Sequence, residues 1–263
     1  MKKGAQVFTV RDFLKTPEQV RESYKKIADM GYDSVQGWAS AGMTDQETQD
    51  MLTELGLVNC SAGGDFEGML KGGQAIADAI KSAEIYKTKY VGVSSMSEEY
   101  RYTPDGHKRY AAALNKIGAD LKKEGGCGVL YHHHAFEFFS FGDGVNGMDI
   151  LTDETDPETV FWTLDTHWLA SGGVDLIYWI KKMEGRVPII HFKDYGIVKG
   201  AVKIEDVVKC FAAVGEGNIN WPAVVQACHD TGIEYVIVEQ DICPGDPFDC
   251  LQISYNNLVK YGV

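Results

Sequence analysis

The chain has 263 residues, 44% of them hydrophobic, which is enough for a large buried core, and 25 basic against 38 acidic residues give a formal charge of −13. So acidic a surface repels phosphate backbones and anionic headgroups, so neither nucleic acid nor a membrane is expected as a partner. The opening stretch MKKGAQVFTVRDF lacks an adequate apolar segment before Arg11 and Asp12, no apolar run approaches the roughly 18 residues that span a bilayer, and Cys60, Cys127, Cys210, Cys228, Cys243 and Cys250 contain no C-x-x-C pair. Reduced, mostly buried thiols and a cytoplasmic location are therefore expected.

The first strand is expected over Ala5 to Val10. Thr16-Pro17 opens a helix, a cap-type residue followed by proline at the first helical position. Val20, Tyr24, Ile27 and Met30 then recur at helical spacing until Gly31 stops it. A second strand is expected over Tyr32 to Trp38, and Thr44 with Glu47 has the spacing of a capping box. A third strand is expected over Leu57 to Ala62, a helix over Gly72 to Thr88, a fourth strand over Tyr90 to Ser94, and a helix from Thr103-Pro104 to Lys123. Val129 to His132 forms the fifth strand, residues 140–147 a loop, Met148 to Thr152 a helical turn, and Phe161 to Leu164 the sixth strand. After a helix over Asp175 to Met183 comes the seventh strand, Val187 to Phe192. The excursion from Tyr195 to Gly217 is expected to hold a short helix near Ile204 to Phe211. A helix over Trp221 to Asp230, the eighth strand over Tyr235 to Val238, and a last helix from Asp246-Pro247 complete the chain.

Eight strands, most of them followed by a helix, imply right-handed parallel crossovers and a closed (β/α)8 TIM barrel forming one domain over residues 1–263. No Gly-x-Gly-x-x-Gly follows the first strand, which argues against a dinucleotide-binding sheet.

In such a barrel the side chains at the C-terminal strand ends converge on one mouth. Glu137, Asp165, His191 and Glu239 follow strands five to eight. Three carboxylates would repel one another without a cation, and with one imidazole they make an oxygen-dominated ligand set. Such a set suits Mn²⁺ best, with Mg²⁺, Co²⁺ or Zn²⁺ as alternatives, and leaves positions open for substrate oxygens. In YHHHAFEF the period-2 alternation of a strand turns His132 and His134 to one side and His133 to the other. His132 and His134 are thus candidates for contact with substrate or proton transfer, and His133 for a structural role. Lys193 shares a face with His191 and is a candidate to reach over a ligand held there, with a salt bridge to a mouth carboxylate as the alternative; His167 and Trp38 are candidates for the pocket lining. His107 and His229 are expected on helix surfaces.

The motifs YHHHAFEF, TLDTHW, RVPIIHFKDY, VGEGNINWPAV, IVEQD and SYNNL together resemble the sugar phosphate isomerase/epimerase-like family of the xylose-isomerase-like TIM-barrel superfamily. The resemblance implies a divalent metal on Glu137, Asp165, His191 and Glu239. It also marks two departures: His133 stands where the family motif has Asn, and Gln36 where an acidic residue is common.

The function expected is a metal-dependent isomerase or epimerase of a sugar, keto-sugar or polyol working through an enediolate, with Glu137 and Glu239, or His134, moving the proton. Gly215-Glu216-Gly217 carries an acidic residue and would repel phosphate, which favours a non-phosphorylated ligand. Two other readings stand beside it: a lyase or C-glycoside-cleaving enzyme acting on 3-keto glycosides, and a non-catalytic carbohydrate-binding barrel. Expected partners are a small-molecule carbohydrate and either further copies of the chain or a separate subunit.

Overall fold

A computed structural model of the chain, which describes residues 1–197 and 209–263, has a strand at or beside each of the eight expected places. They are β1 (Lys2–Gln6), β2 (Ser34–Gln36), β3 (Ala62–Gly63), β4 (Tyr90–Val93), β5 (Gly128–His132), β6 (Val160–Asp165), β7 (Ile189–Phe192) and β8 (Tyr235–Val238). The chain divides into two compact units, one made of Met1–Val58 with Ile189–Val263 and the other of Asn59–Pro188.

In the first unit the strands run parallel in the order β2-β1-β8-β7, with Gln6 level with Gln36, Ala5 with Val238, and His191 with Ile237. Ala5, Val35, Ile189, Ile190, Val236 and Ile237 are fully buried. Such near-continuous apolar runs are what strands covered on both faces require. Burying each of these larger side chains contributes about 1.5–3 kcal/mol. The helices begin as their caps dictate. Thr16 accepts a hydrogen bond from the Gln19 N–H at the start of Pro17–Asp29, Thr44 and Glu47 close a reciprocal capping box, and Asn220 and Asp246 cap Trp221–Asp230 and Pro247–Lys260.

In the second unit the parallel order is β3-β4-β5-β6, with Val129 level with Val160 and His132 with Thr163. The helices Gln74–Tyr86 and Pro104–Gly125 belong to it, the latter ended by Gly126 in the left-handed conformation at φ 67°.

Four expectations change. β1 is shifted: strand structure stops at Gln6, whose side chain caps a 3-10 helix over Val7–Phe13, so the β-branched stretch VFTV is not strand. The expected third strand breaks into Val58–Asn59 and Ala62–Gly63. Within 140–147, Ser140–Gly142 pairs antiparallel with Val145–Asn146, because Asp143 and Gly144 take the positive φ values, 51° and 77°, of a tight hairpin turn. Of the helix expected over 204–211, residues 204–208 lie outside the described residues, while Lys209–Ala212 is a strand paired antiparallel with Asp194–Ile197.

His107 is also not a surface residue. It is fully buried, its Nδ1 3.1 Å from the Thr103 carbonyl and its ring edge-on to Phe141, and burial lowers its pKa. His229 is exposed, as expected. All six cysteines are free thiols, with Cys60, Cys127, Cys228 and Cys250 buried. Among the described residues no helix is long and apolar enough to cross a membrane.

Candidate metal centre

In the second unit, His132 ends β5 and Asp165 ends β6. Because His132 is level with Thr163, it shares a face with Thr163 and with Asp165 two positions on. His132 Nε2 lies 3.3 Å from Asp165 Oδ2. The two carboxylate oxygens of Asp165 have separate tasks. Oδ1 caps the helix Thr166–Ser171 by accepting from the His167 and Trp168 N–H groups at 2.8 and 3.1 Å, and Oδ2 faces His132.

The strand alternation places His133 on the other side. The Asp165 N–H donates to His133 Nε2 at 3.0 Å, so the ring proton sits on Nδ1 and donates to the His134 carbonyl at 3.0 Å. His133 is fully buried and ties the end of β5 to the end of β6. His134 lies on the same side as His132, with ring centroids 4.8 Å apart. It stacks on Phe136 at 5.3 Å with a 7° interplanar angle and lies 5.3 Å from Trp168, and the Arg101 guanidinium sits 3.9 Å from the Phe136 ring centre. His167 is 7% exposed and meets Trp168 edge-on.

Glu137 takes a place that strand alternation did not foresee. The chain leaves the extended conformation after His134 and forms a 3-10 turn over Phe136–Phe138, which folds the Glu137 carboxylate back under β5. There it accepts from the Tyr131 hydroxyl and, at 2.8 Å, from the His134 N–H. Burial pushes its pKa up to about 7, against the pull of those two hydrogen bonds and of the Arg101 charge. The residue that meets Asp165 is His132.

In the first unit, His191 on β7 is level with Ile237, so it shares a face with Glu239, two residues further on and just past the end of β8. His191 Nδ1 lies 2.9 Å from Glu239 Oε2. Lys193, two residues after His191, reaches the same oxygen at 2.9 Å and Asp241 at 3.0 Å, and it is only 2% exposed. On the other ring nitrogen, His191 Nε2 is 2.5 Å from Gln36 Oε1. Trp38 is 41% exposed. Beyond Lys193, a cavity of about 550 Å³ is lined by Thr9, Arg11, Phe13, Asp241, Cys243 and Asp246.

Sequence reasoning overlooked Asp194. Its buried carboxylate accepts from the N–H groups of Tyr195, Gly215 and Gly217 at 2.8–3.0 Å and from Trp221 Nε1 at 2.6 Å. The signal was an acidic residue directly after the Lys193 strand end, with a glycine-rich GEGN stretch later in the chain. Gly217 admits no side chain, because a Cβ there would lie 2.3 Å from Asp194 Oδ1.

The donor set fits a divalent cation. Adjacent ligands of an octahedral ion bonded at about 2.1 Å lie about 3 Å apart. The separations of 2.9 Å for His191–Glu239 and 3.3 Å for His132–Asp165 match that edge within each unit.

A curated relative from Lacticaseibacillus casei, inosose dehydratase, is 29% identical over 170 residues, covering 59% of this chain and 55% of that protein, so the match spans about half of the relative's length. The inosose dehydratase of Geobacillus thermodenitrificans is 28% identical over 262 residues, covering 89% of this chain and 78% of that protein. A solved structure of a sugar phosphate isomerase/epimerase from Parabacteroides distasonis superposes with a TM-score of 0.78 over 98% of this chain and 93% of that one, at 20% identity. The family model for the xylose isomerase-like TIM barrel matches residues 24–246, and the chain belongs to that family, with the (β/α)8 fold that its strand order implied.

Proposed function

We propose that this chain is a divalent-metal-dependent enzyme that removes the proton beside the carbonyl of a keto-sugar or keto-polyol and returns it, as an isomerase or epimerase. The candidate ligands are His132 with Asp165 in the second unit and His191 with Glu239 in the first. The observation that carries the reading is the pair of imidazole–carboxylate contacts at C-terminal strand ends, one in each unit, each with the spacing of adjacent metal ligands. In this reading His132 replaces Glu137 in the expected ligand set, because Glu137 is held by Tyr131 and the His134 N–H.

Bound there, a divalent ion polarises a substrate carbonyl and stabilises the negative charge that develops on its oxygen. Mn²⁺ remains the favoured ion, with Mg²⁺, Co²⁺ and Zn²⁺ as alternatives. The chain's own groups do the rest. His134, half-buried and stacked on Phe136, is the group we assign to take the α proton and return it. Glu137 fixes the backbone of His134 rather than touching substrate. Lys193 neutralises Glu239 and Asp241 and orients both. His167 and Trp168 close the side of the site beside His134, and Trp38 offers an apolar face for sugar C–H groups. The Gly215 and Gly217 N–H groups already serve Asp194, which supports a non-phosphorylated substrate.

A second reading keeps the proton abstraction and follows it by loss of a β-hydroxyl or other leaving group. The inosose dehydratases, similar over as much as 89% of this chain, favour it. Both are tested by metal analysis of the purified protein, followed by incubation in D₂O with a panel of keto-sugars and inososes. Deuterium in recovered or epimerised sugar supports the first reading, and a conjugated enone or a released aglycone supports the second. A protein that retains no ion, or that binds sugar without any exchange, overturns both and leaves a carbohydrate-binding barrel.

A further inference from the structure

We infer that Gln36 is a positioning residue that sets the tautomer of His191, so that Nδ1 presents its lone pair to the metal. The inference rests on the proposed metal site for its functional meaning, and its structural part stands on three strand ends of the first unit.

Gln6 and Gln36 are level with one another at the ends of β1 and β2. The orientation of each amide is fixed by a chain of hydrogen bonds. The Phe8 N–H donates to Gln6 Oε1 at 3.3 Å, which leaves the Gln6 amide nitrogen to donate to Gln36 Oε1 at 3.0 Å. Reversing Gln36 would set two amide NH₂ groups against each other, and reversing Gln6 would break its bond to Phe8. Gln36 therefore turns its carbonyl oxygen to His191 Nε2, 2.5 Å away. A carbonyl oxygen only accepts, so the imidazole proton sits on Nε2. Nδ1 is then the acceptor nitrogen, and it points at Glu239 Oε2 at 2.9 Å. Two electron-rich atoms facing each other at that distance make a cation-binding edge. Lys193, on the same Glu239 oxygen, adds a fixed positive charge that holds the carboxylate in place.

An outer partner of this kind fixes both ring orientation and tautomer. Gln36 does so as a neutral group. It adds no negative charge to the carboxylates already present, whereas an acidic residue at this position would.

The test has two readouts, neither of them activity. The first is the ¹⁵N spectrum of His191 in metal-free protein above pH 8. The second is zinc and manganese affinity by calorimetry. The wild type should show the Nε2–H tautomer. Gln36→Leu should lose that preference and bind either ion about 10–100-fold more weakly. Gln36→Glu, which keeps an acceptor, should retain the tautomer. Gln6→Leu, which frees the Gln36 amide to rotate, should weaken the preference without removing it. An Nδ1–H ring in the wild type, or unchanged tautomer and affinity in Gln36→Leu, overturns the inference. If Gln36→Leu does not fold, Gln6→Leu and Gln36→Glu decide by the same spectrum. Should the wild type bind no ion that Glu239→Ala abolishes, the metal reading fails, while the tautomer comparison still decides the role of Gln36.

Discussion

Glu137 ties the stability of the fold to pH in a way that can be worked from its surroundings. Its carboxyl is fully buried, and burial raises its pKa from 4.5 to about 7. The unfolded chain releases this proton near pH 4.5, whereas the folded chain keeps it until about pH 7. Between those values the native state binds the extra proton, so raising the pH across the window lowers stability. The shift is about 2.5 units, which at about 1.4 kcal/mol per unit corresponds to about 3 kcal/mol between the ends of the window. Glu137→Gln removes the titration and keeps the shape: the amide oxygen accepts from the His134 N–H, and the NH₂ faces the Tyr131 hydroxyl. Urea denaturation of both proteins in chelator at pH 4.5, 6 and 8, followed by tryptophan fluorescence, gives the difference directly. The variant should gain on the wild type by about 3 kcal/mol from the lowest pH to the highest. A difference that stays constant with pH would refute the burial argument. One that moves the other way would mean that the hydrogen bonds from Tyr131 and His134 outweigh desolvation.

Other outcomes follow from the same contacts. Asp194→Asn turns one accepting oxygen into a donor facing N–H groups already aimed at it, so it should cost about 2–4 kcal/mol and lower the urea midpoint; an unchanged midpoint would show the cradle to be dispensable. Asp165→Ala removes both a helix cap and a proposed ligand, and should lower stability by about 1 kcal/mol and abolish stoichiometric metal in elemental analysis. Retention of the ion in that variant would remove Asp165 from the ligand set. Native protein treated with Ellman's reagent should release thiolate rapidly from exposed Cys210. Cys228, pushed up by burial to about 12, and Cys60, raised by the same cause, should react only after unfolding, and fast reaction of either would contradict its burial.

Much of this was legible in the residues because parallel strands and their helices announce themselves by periodicity. Helix starts at Thr16, Thr44 and Thr103 were set by local cap chemistry, and the Tyr235–Val238 strand by an unbroken apolar run. The alternation in YHHHAFEF correctly set His133 apart from its neighbours. The reading went astray where local geometry switches type. VFTV has strand composition, yet the Gln6 side chain captures the Phe8 N–H and turns the chain into a 3-10 helix. The 3-10 turn over Phe136–Phe138 was not expected either, and in it Glu137 accepts from the Tyr131 hydroxyl and the His134 N–H. His107 was assigned to the surface because nothing in its helix pattern reports that Phe141, in a later hairpin, covers it. Asp194 escaped for a related reason: most of its partners, at Gly215, Gly217 and Trp221, lie further along the chain.

That separation also bears on the order in which the protein is made. The second unit is one continuous stretch, whereas the first is assembled from the two ends of the chain. During synthesis Gln6 and Gln36 leave the ribosome before the second unit, and the imidazole that Gln36 holds follows 155 residues later. Gln36 can meet Gln6 at once, but its contact with the ring waits while a complete stretch of strands and helices is produced in between. A truncated chain that ends before β7 would carry that stretch intact and still lack the nitrogen for which Gln36 is set. The contact between Gln36 and His191 is thus one that the newborn chain can complete only after the whole second unit has been made.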